Sequence, residues 1–386
     1  MKDFVSERAK TIPPSGIRKF FDLALTMEEV ISLGVGEPDF STPWNICEAS
    51  IYSIEQGGTS YTSNRGLQPL REALSKYLNA HYGLSYDADR EMIITSGVSE
   101  GLDIAVRAIV NPGEEVLIAD PCYVSYSPCV MLAGGIPVPV PCVEKDQFRL
   151  NPDRLMENIT GKSKALIINF PNNPTGAVMR HDHLKAIADI VTDHDLVLIS
   201  DEVYSELTYD GTHTAVATVG DLMERTITLN GFSKAYAMTG WRIGYLCAPE
   251  TICDAALKIH QYVMLCAPVM GQVAALEGIR KGENEKDRMV REYRVRRNVF
   301  VNSLNKIGLS CHLPEGAFYA FPSVERTGMS DLEFAERLLK EEHVAVVPGS
   351  VFGNGGKNHL RCAYAVSREK LKEAARRMEQ FISRNT

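Results

Sequence analysis

The segment TITLNGFSKAYAMTGWRIGYLC, residues 226–247, sets two short apolar runs around a polar loop that carries one lysine and one arginine. TITLN (226–230) and IGYLC (243–247) are continuous in hydrophobicity, not alternating. Strands buried on both faces read this way, because neither face meets water. The same pattern recurs upstream in MIIT (92–95), EVLIA (115–119), ALIIN (165–169) and LVLIS (196–200). Helical patterns lie between such runs; one spans Glu100 to Ile109 and is stopped by Asn111-Pro112-Gly113. Strands alternating with helices predict an α/β fold with a mostly parallel sheet. Ligands of such sheets sit beyond the carboxyl ends of the strands. Polar or special residues follow the runs: Ser96-Gly97, Asp120, Asn172-Asn173, Asp201 and Ser233-Lys234. Segments far apart in sequence are thus expected to bring their tips to one sheet edge.

From about residue 278 the character changes. KGENEKDRMVREYRVRRNVFVNSL is a long charged helix pattern with apolar positions at Met289, Tyr293, Val299 and Leu304. Its mixed charges read as a solvated face. FYAFP, a helix at Asp331 to Glu342, AVVPG, LRCAYA and a final helix follow. The expected division is an N-terminal arm or part of the small domain at 1–45, a large domain at 46–277 and a smaller α+β domain at 278–386. The chain has 386 residues, 45% hydrophobic and 23% charged, which excludes disorder as its main state. Its formal charge of −8 argues against a general nucleic-acid or membrane-surface binder. No apolar run approaches the roughly 18 residues of a membrane span. The start, MKDFVSERAKTIPPSG, lacks the apolar stretch of a secretory signal. The 9 cysteines form no C-x-x-C pair and read as free thiols in a reducing cytoplasm, with no metal site expected.

Lys234 follows a buried-looking strand among small and apolar residues, with Arg242 nearby. A lone lysine is ordinarily solvated surface. In a partly desolvated pocket near other cations its pKa falls, and its neutral amine can form a Schiff base with a carbonyl compound. Asp201, in LISDEVY, reads either as a helix N-cap or as a carboxylate that keeps a pyridinium nitrogen protonated; Tyr204 reads as packing or as a phenol reaching a ring oxygen. FPNNPTG (170–176) is a turn that can also aim an Asn amide into a cleft. SGVSEGL (96–102) joins strand to helix, where free N–H groups bind phosphate, yet it matches neither a P-loop nor a dinucleotide fingerprint.

NNPTG, DEVY and SKAYAMTGWRIG, in this order and spacing, resemble the pyridoxal-phosphate enzymes of the aspartate aminotransferase superfamily, the class I/II aminotransferases of fold type I. The resemblance runs from GVGEPDF (34–40) to LRCAYA (360–365). It implies a seven-stranded, mostly parallel sheet sandwiched by helices, with pyridoxal 5′-phosphate as cofactor. It also implies roles. Lys234 is the Schiff-base lysine, Asp201 pairs with the pyridine nitrogen, and Tyr204 and Asn173 contact the ring's phenolic oxygen. Tyr123 stacks on the ring. Gly97, Val98, Ser99, Ser233 and Arg242 hold the phosphate, together with Tyr61 from a partner subunit. Arg361 clamps the substrate α-carboxylate beside the Gly36 N–H. The implied reaction is ping-pong transfer of an amino group from an L-amino acid to a 2-oxo acid, 2-oxoglutarate being favoured, in a cytoplasmic homodimer with shared sites.

Two positions depart from common family patterns. Gly231 stands where many members have Ser, which removes a phosphate hydroxyl. Ser99 stands where some bacterial aspartate enzymes have a Lys, which weakens a strict aspartate assignment. Arg18 and Lys19 suit a distal carboxylate; Ile17, Phe20 and Phe21 suit aromatic or aliphatic side chains. Donors therefore stay open among aspartate, aromatic amino acids and alanine. A C–S β-lyase acting on cystathionine-like substrates is the alternative enzyme. A metabolite-sensing transcription regulator is not expected, because GVGEPDF begins at residue 34 and leaves no room for a preceding DNA-binding domain.

Overall fold

The computed structural model describes residues 3–14, 16 and 27–385. Its strands are, in chain order, β1 (Ile31–Ser32), β2 (Met92–Thr95), β3 (Glu115–Asp120), β4 (Ile136–Pro141), β5 (Ser163–Asn169), β6 (Val197–Asp201), β7 (Thr226–Gly231), β8 (Gly244–Cys247), β9 (Tyr319–Ala320), β10 (Val344–Ala345), β11 (Val347–Pro348) and β12 (Leu360–Ala363). Strands β2 to β8 form a 7-stranded sheet in the order β2-β8-β7-β6-β5-β3-β4. Strands β7, β6, β5, β3 and β4 run parallel, and β8 runs antiparallel to both its neighbours. The α/β fold with a mostly parallel sheet is the one the alternating runs predict.

Alternate side chains of the central strands enter different cores. Leu117, Leu166, Ile168 and Leu198 join one cluster; Val116, Ile118, Ile167 and Ile199 join another. The helix His181–Asp193 covers the first face. The helices Val98–Ile109, Tyr126–Ala133 and Glu250–Val263 cover the second. Burial on both faces is why these strands are apolar throughout. Strand β4, IPVPVP, lacks a continuous apolar run because Pro137, Pro139 and Pro141 interrupt it. It is an edge strand paired to β3 alone, where a missing N–H need not cost a ladder bond.

The C-terminal part holds a 3-stranded antiparallel sheet, β11-β12-β9. Strand β1 pairs parallel with β10, and Leu33 accepts from the Ala363 N–H at 2.7 Å, so residues 31–33 are stitched to this part. The helix Glu7–Thr11 instead lies against the large sheet's covering, with Arg8 donating to the Leu132 carbonyl at 3.1 Å. A helix occupies Asp331–Glu342, as its pattern predicts. The charged run forms the helix Glu283–Lys306, but the expectation of a solvated face needs correction. Lys286, Arg296 and Arg297 are buried, and they reach Glu206, Asp39 and Asp210 at 2.8, 2.7 and 2.6 Å. A carboxylate partner offsets part of the cost of withdrawing each cation from water. Phe300, rather than Val299, carries the apolar face beside Met289, Tyr293 and Leu304. Ile17, Arg18, Lys19, Phe20 and Phe21 lie outside the described residues. Among the described residues no helix is long and apolar enough to cross a membrane.

Candidate active site

Strand β8 runs opposite to its neighbours, so its start, not its end, lies where β2 and β7 finish. Gly244 pairs with Thr95 on one side and Gly231 on the other. Arg242, two residues earlier, therefore stands beside the loop that follows β2. The fit is close. A Cβ on Gly97 would meet the Arg242 guanidinium, and one on Gly244 would lie 2.7 Å from the Gly97 and Val98 backbone. Gly97 has φ 78° at the start of the helix Val98–Ile109, and no side chain caps that end. Among the described residues no side chain takes its first-turn N–H groups, which suit an outside anion. Val98, Ser99, Ser233 and Arg242 all line a cavity of about 820 Å³ at this edge. At Gly231 a Cβ would approach Gly244, Ile243 and Val98 to 3.0–3.1 Å, so the absent Ser side chain has a packing reason.

The same cavity gathers the other expected residues: Gly36, Tyr123, Asn173, Asp201, Tyr204, Lys234 and Arg361. Asp201 ends β6 and is buried. Its carboxylate accepts from the Tyr126 hydroxyl at 2.8 Å and the Val203 N–H at 3.2 Å. Burial pushes its pKa up to about 6, against the pull of those donors. The Lys234 ammonium donates to the Gly36 carbonyl at 2.7 Å. Burial lowers its pKa to about 8; Arg361 and Arg242 add to that, while Glu37 and Asp201 oppose it. Arg361, in β12, donates to the Asn173 side chain at 3.1 Å and the Gly34 carbonyl at 2.5 Å. Asn173 is held in turn, its N–H donating to Asn169 Oδ1 at 2.9 Å. Tyr204 and Tyr319 share a hydrogen bond of 2.7 Å between hydroxyls.

Tyr61 is not brought to this cavity. It is 83% exposed on the surface of the chain. Among the lining residues beyond the expected set are Tyr126, Tyr319 and Glu37. Tyr126 follows Tyr123 by three residues at the start of a helix, and that spacing was a usable signal. Tyr319 sits in FYAFP, which reads simply as a strand. Glu37 accepts from the Thr239 hydroxyl at 3.1 Å, a contact across 202 residues that no local pattern announces.

The family model for aminotransferase class I and II matches residues 28–378. The chain is 55% identical to a putative aminotransferase of Bacillus subtilis over the whole of both chains, 386 residues. It is 45% identical to an aspartate aminotransferase of Pyrococcus abyssi, covering 98% of each chain. A solved aromatic aminotransferase from Pyrococcus horikoshii superposes with a TM-score of 0.91 at 43% identity, over 95% of this chain and 99% of that one.

Proposed function

The chain belongs to the class I and II aminotransferases, which use pyridoxal 5′-phosphate, and we propose that it passes the amino group of an L-amino acid to 2-oxoglutarate in two half-reactions. The observation that carries this reading is the meeting of Lys234, Asp201, Arg361 and Arg242 around one cavity, with Gly97 packed against the Arg242 guanidinium behind it. Each end of the cofactor finds a matching group. The free helix N–H groups and Arg242 suit a phosphate, and the buried Asp201 carboxylate suits a protonated ring nitrogen. Arg361 keeps its Nε buried without a hydrogen-bond partner among the described residues, so it has donor capacity left for a carboxylate. When bound, the cofactor supplies an aldehyde and an electron-withdrawing ring that stabilises negative charge at the substrate Cα.

The chain's own groups supply the rest. Lys234 would hold the cofactor through its amine. Its free Nζ would be the base that takes the Cα proton, and a pKa near 8 leaves a useful neutral fraction near neutral pH. Asp201 would hold the ring nitrogen in its protonated form. Tyr204 and Asn173 would hold the ring oxygen, Tyr123 would stack on the ring, and Gly97, Val98, Ser99, Ser233 and Arg242 would hold the phosphate. Arg361 and the Gly36 backbone fix the α-carboxylate and with it the direction of the Cα–H bond. Tyr61 reaches the phosphate of a partner's site in a homodimer, which its exposure supports. The free cysteines support a cytoplasmic setting. Relatives named for aspartate and for aromatic donors are alike in identity, so the donor stays among aspartate, aromatic and alanine-like amino acids. Nothing in the fold or in these relatives favours a C–S β-lyase.

An absorbance titration of the holoenzyme with a panel of amino acids tests the reading. Glutamate and at least one second amino acid should bleach the visible cofactor band and release the matching 2-oxo acid. Lys234→Ala should abolish the band and the turnover. Release of pyruvate and ammonia from sulfur substrates without that bleaching would overturn amino transfer as the reaction.

A further inference from the structure

We propose that Tyr319 is a positioning residue of this site, whose hydroxyl sets the Tyr204 phenol while its ring seats the Arg361 guanidinium. The proposal rests on the cofactor-binding reading above. Tyr319 opens β9, in the small sheet, and Tyr204 follows β6, in the large one. Their hydroxyls lie 2.7 Å apart, and their buried rings meet edge-on with centroids 5.8 Å apart. Strand β12 places Ala363 opposite Tyr319, so Arg361, two residues away on the same face, reaches it diagonally. The Arg361 guanidinium carbon stands 4.7 Å from the Tyr319 ring centre. A Cβ on Gly36 would lie 2.7 Å from the Tyr319 hydroxyl, so glycine there leaves the hydroxyl its place. One side chain thus touches the phenol, the carboxylate clamp and the backbone beside it.

A phenol has one proton to give and an oxygen that accepts. Among the described residues, Tyr319 and Tyr204 are each other's only hydroxyl partners. When Tyr319 donates into the Tyr204 oxygen, the Tyr204 proton is free for the cofactor's ring oxygen. Two hydrogen bonds in series strengthen one another, so Tyr204 becomes the better donor. A better donor there stabilises negative charge on the ring oxygen. The nitrogen joined to Lys234 then loses its proton at lower pH, and the pH midpoint of the visible band is held down.

The experiment is a spectrophotometric pH titration of the holoenzyme in wild-type, Tyr319→Phe, Tyr204→Phe and doubly substituted forms. Tyr319→Phe should raise the midpoint by about half a unit or more, the effect of one modest hydrogen bond. The double variant should lie no higher than Tyr204→Phe alone. An unmoved midpoint in Tyr319→Phe, or an equal rise in the Tyr204→Phe background, would overturn the proposal. Replacing Tyr319 by 3-fluorotyrosine keeps the shape and makes a stronger donor. It should lower the midpoint, and a midpoint that stays or rises overturns the proposal even if the Phe variant fails to fold. A wild-type protein with no visible band would sink the cofactor-binding reading along with this one; a normal band with unmoved midpoints sinks this one alone.

Discussion

Asp201 and Lys234 are charged groups kept largely out of water, and that has a measurable effect on the apoprotein. The Asp201 carboxyl is raised from 3.8 to about 6, chiefly by burial. Between those values the folded chain binds more protons at this group than the unfolded chain does. Its contribution to stability therefore falls as pH rises from about 4 to 6. A shift of roughly two units corresponds to roughly 3 kcal/mol lost at neutral pH. Asp201→Asn should recover about 2 kcal/mol in urea unfolding of the apoprotein at pH 8 and almost nothing near pH 4, while lowering holoenzyme kcat by about 100-fold or more. An apoprotein equally stable with either residue at pH 8 would contradict the burial cost. Lys234 acts the other way along the pH axis. Its pKa is lowered from 10.5 to about 8, so its contribution rises as pH climbs through that window. Both residues were legible in the sequence because each follows a continuous apolar run. Tyr319 was not, because its partner Tyr204 lies 115 residues away and its own segment looks ordinary; for Tyr126 the three-residue spacing from Tyr123 was a signal, but its partner Asp201, 75 residues on, was not visible.

The reversed direction of β8 is the element on which the phosphate cup depends. Its apolar run was readable as a strand, but direction was not, since an antiparallel and a parallel buried strand share one composition. Only pairing places Gly244 beside Gly97 and Val98. Gly244→Ala should push that backbone aside and weaken cofactor affinity about tenfold or more, read as Kd from fluorescence titration of the apoprotein. Unchanged affinity would mean that the helix start does not hold the phosphate. The helix Glu283–Lys306 carries a different lesson. Charge spacing predicts a wet face, yet the acidic partners of Lys286, Arg296 and Arg297 come from residues 206, 39 and 210. No local pattern reveals such long-range pairing. Glu206 also accepts from the Tyr77 and Tyr82 hydroxyls at 2.5 Å each, so Lys286 closes a buried polar network. Lys286→Met removes its cation and should cost about 3 kcal/mol in denaturant unfolding at neutral pH. A loss under about 1 kcal/mol would class the pair with exposed ion pairs.

At the scale of the whole molecule, the cavity is assembled from distant parts of one chain: the large sheet brings Asp201 and Lys234, and the small sheet brings Arg361 and Tyr319. The surface adds an unpartnered feature. Trp44, Tyr52, Tyr61 and Tyr262 are 69%, 61%, 83% and 87% exposed. The Tyr61 and Tyr262 segments are neighbours, because Asn64 donates to the Leu265 carbonyl at 2.6 Å. Bulky aromatics bared on adjoining segments suit a surface that a second copy covers. In the proposed dimer each site takes Lys234 from one protomer and Tyr61 from its partner. A Lys234→Ala chain and a Tyr61→Ala chain are each impaired alone. A hybrid of the two holds one site with both defects and one site with none. Random mixing after reversible dissociation makes about half the dimers hybrids, so activity should reach about a quarter of wild type, above the mean of the parents. The gain should appear with the subunit-exchange rate and vanish if the chains are mixed without dissociation. Activity fixed at the parental mean after full exchange would place Tyr61 outside the partner's site.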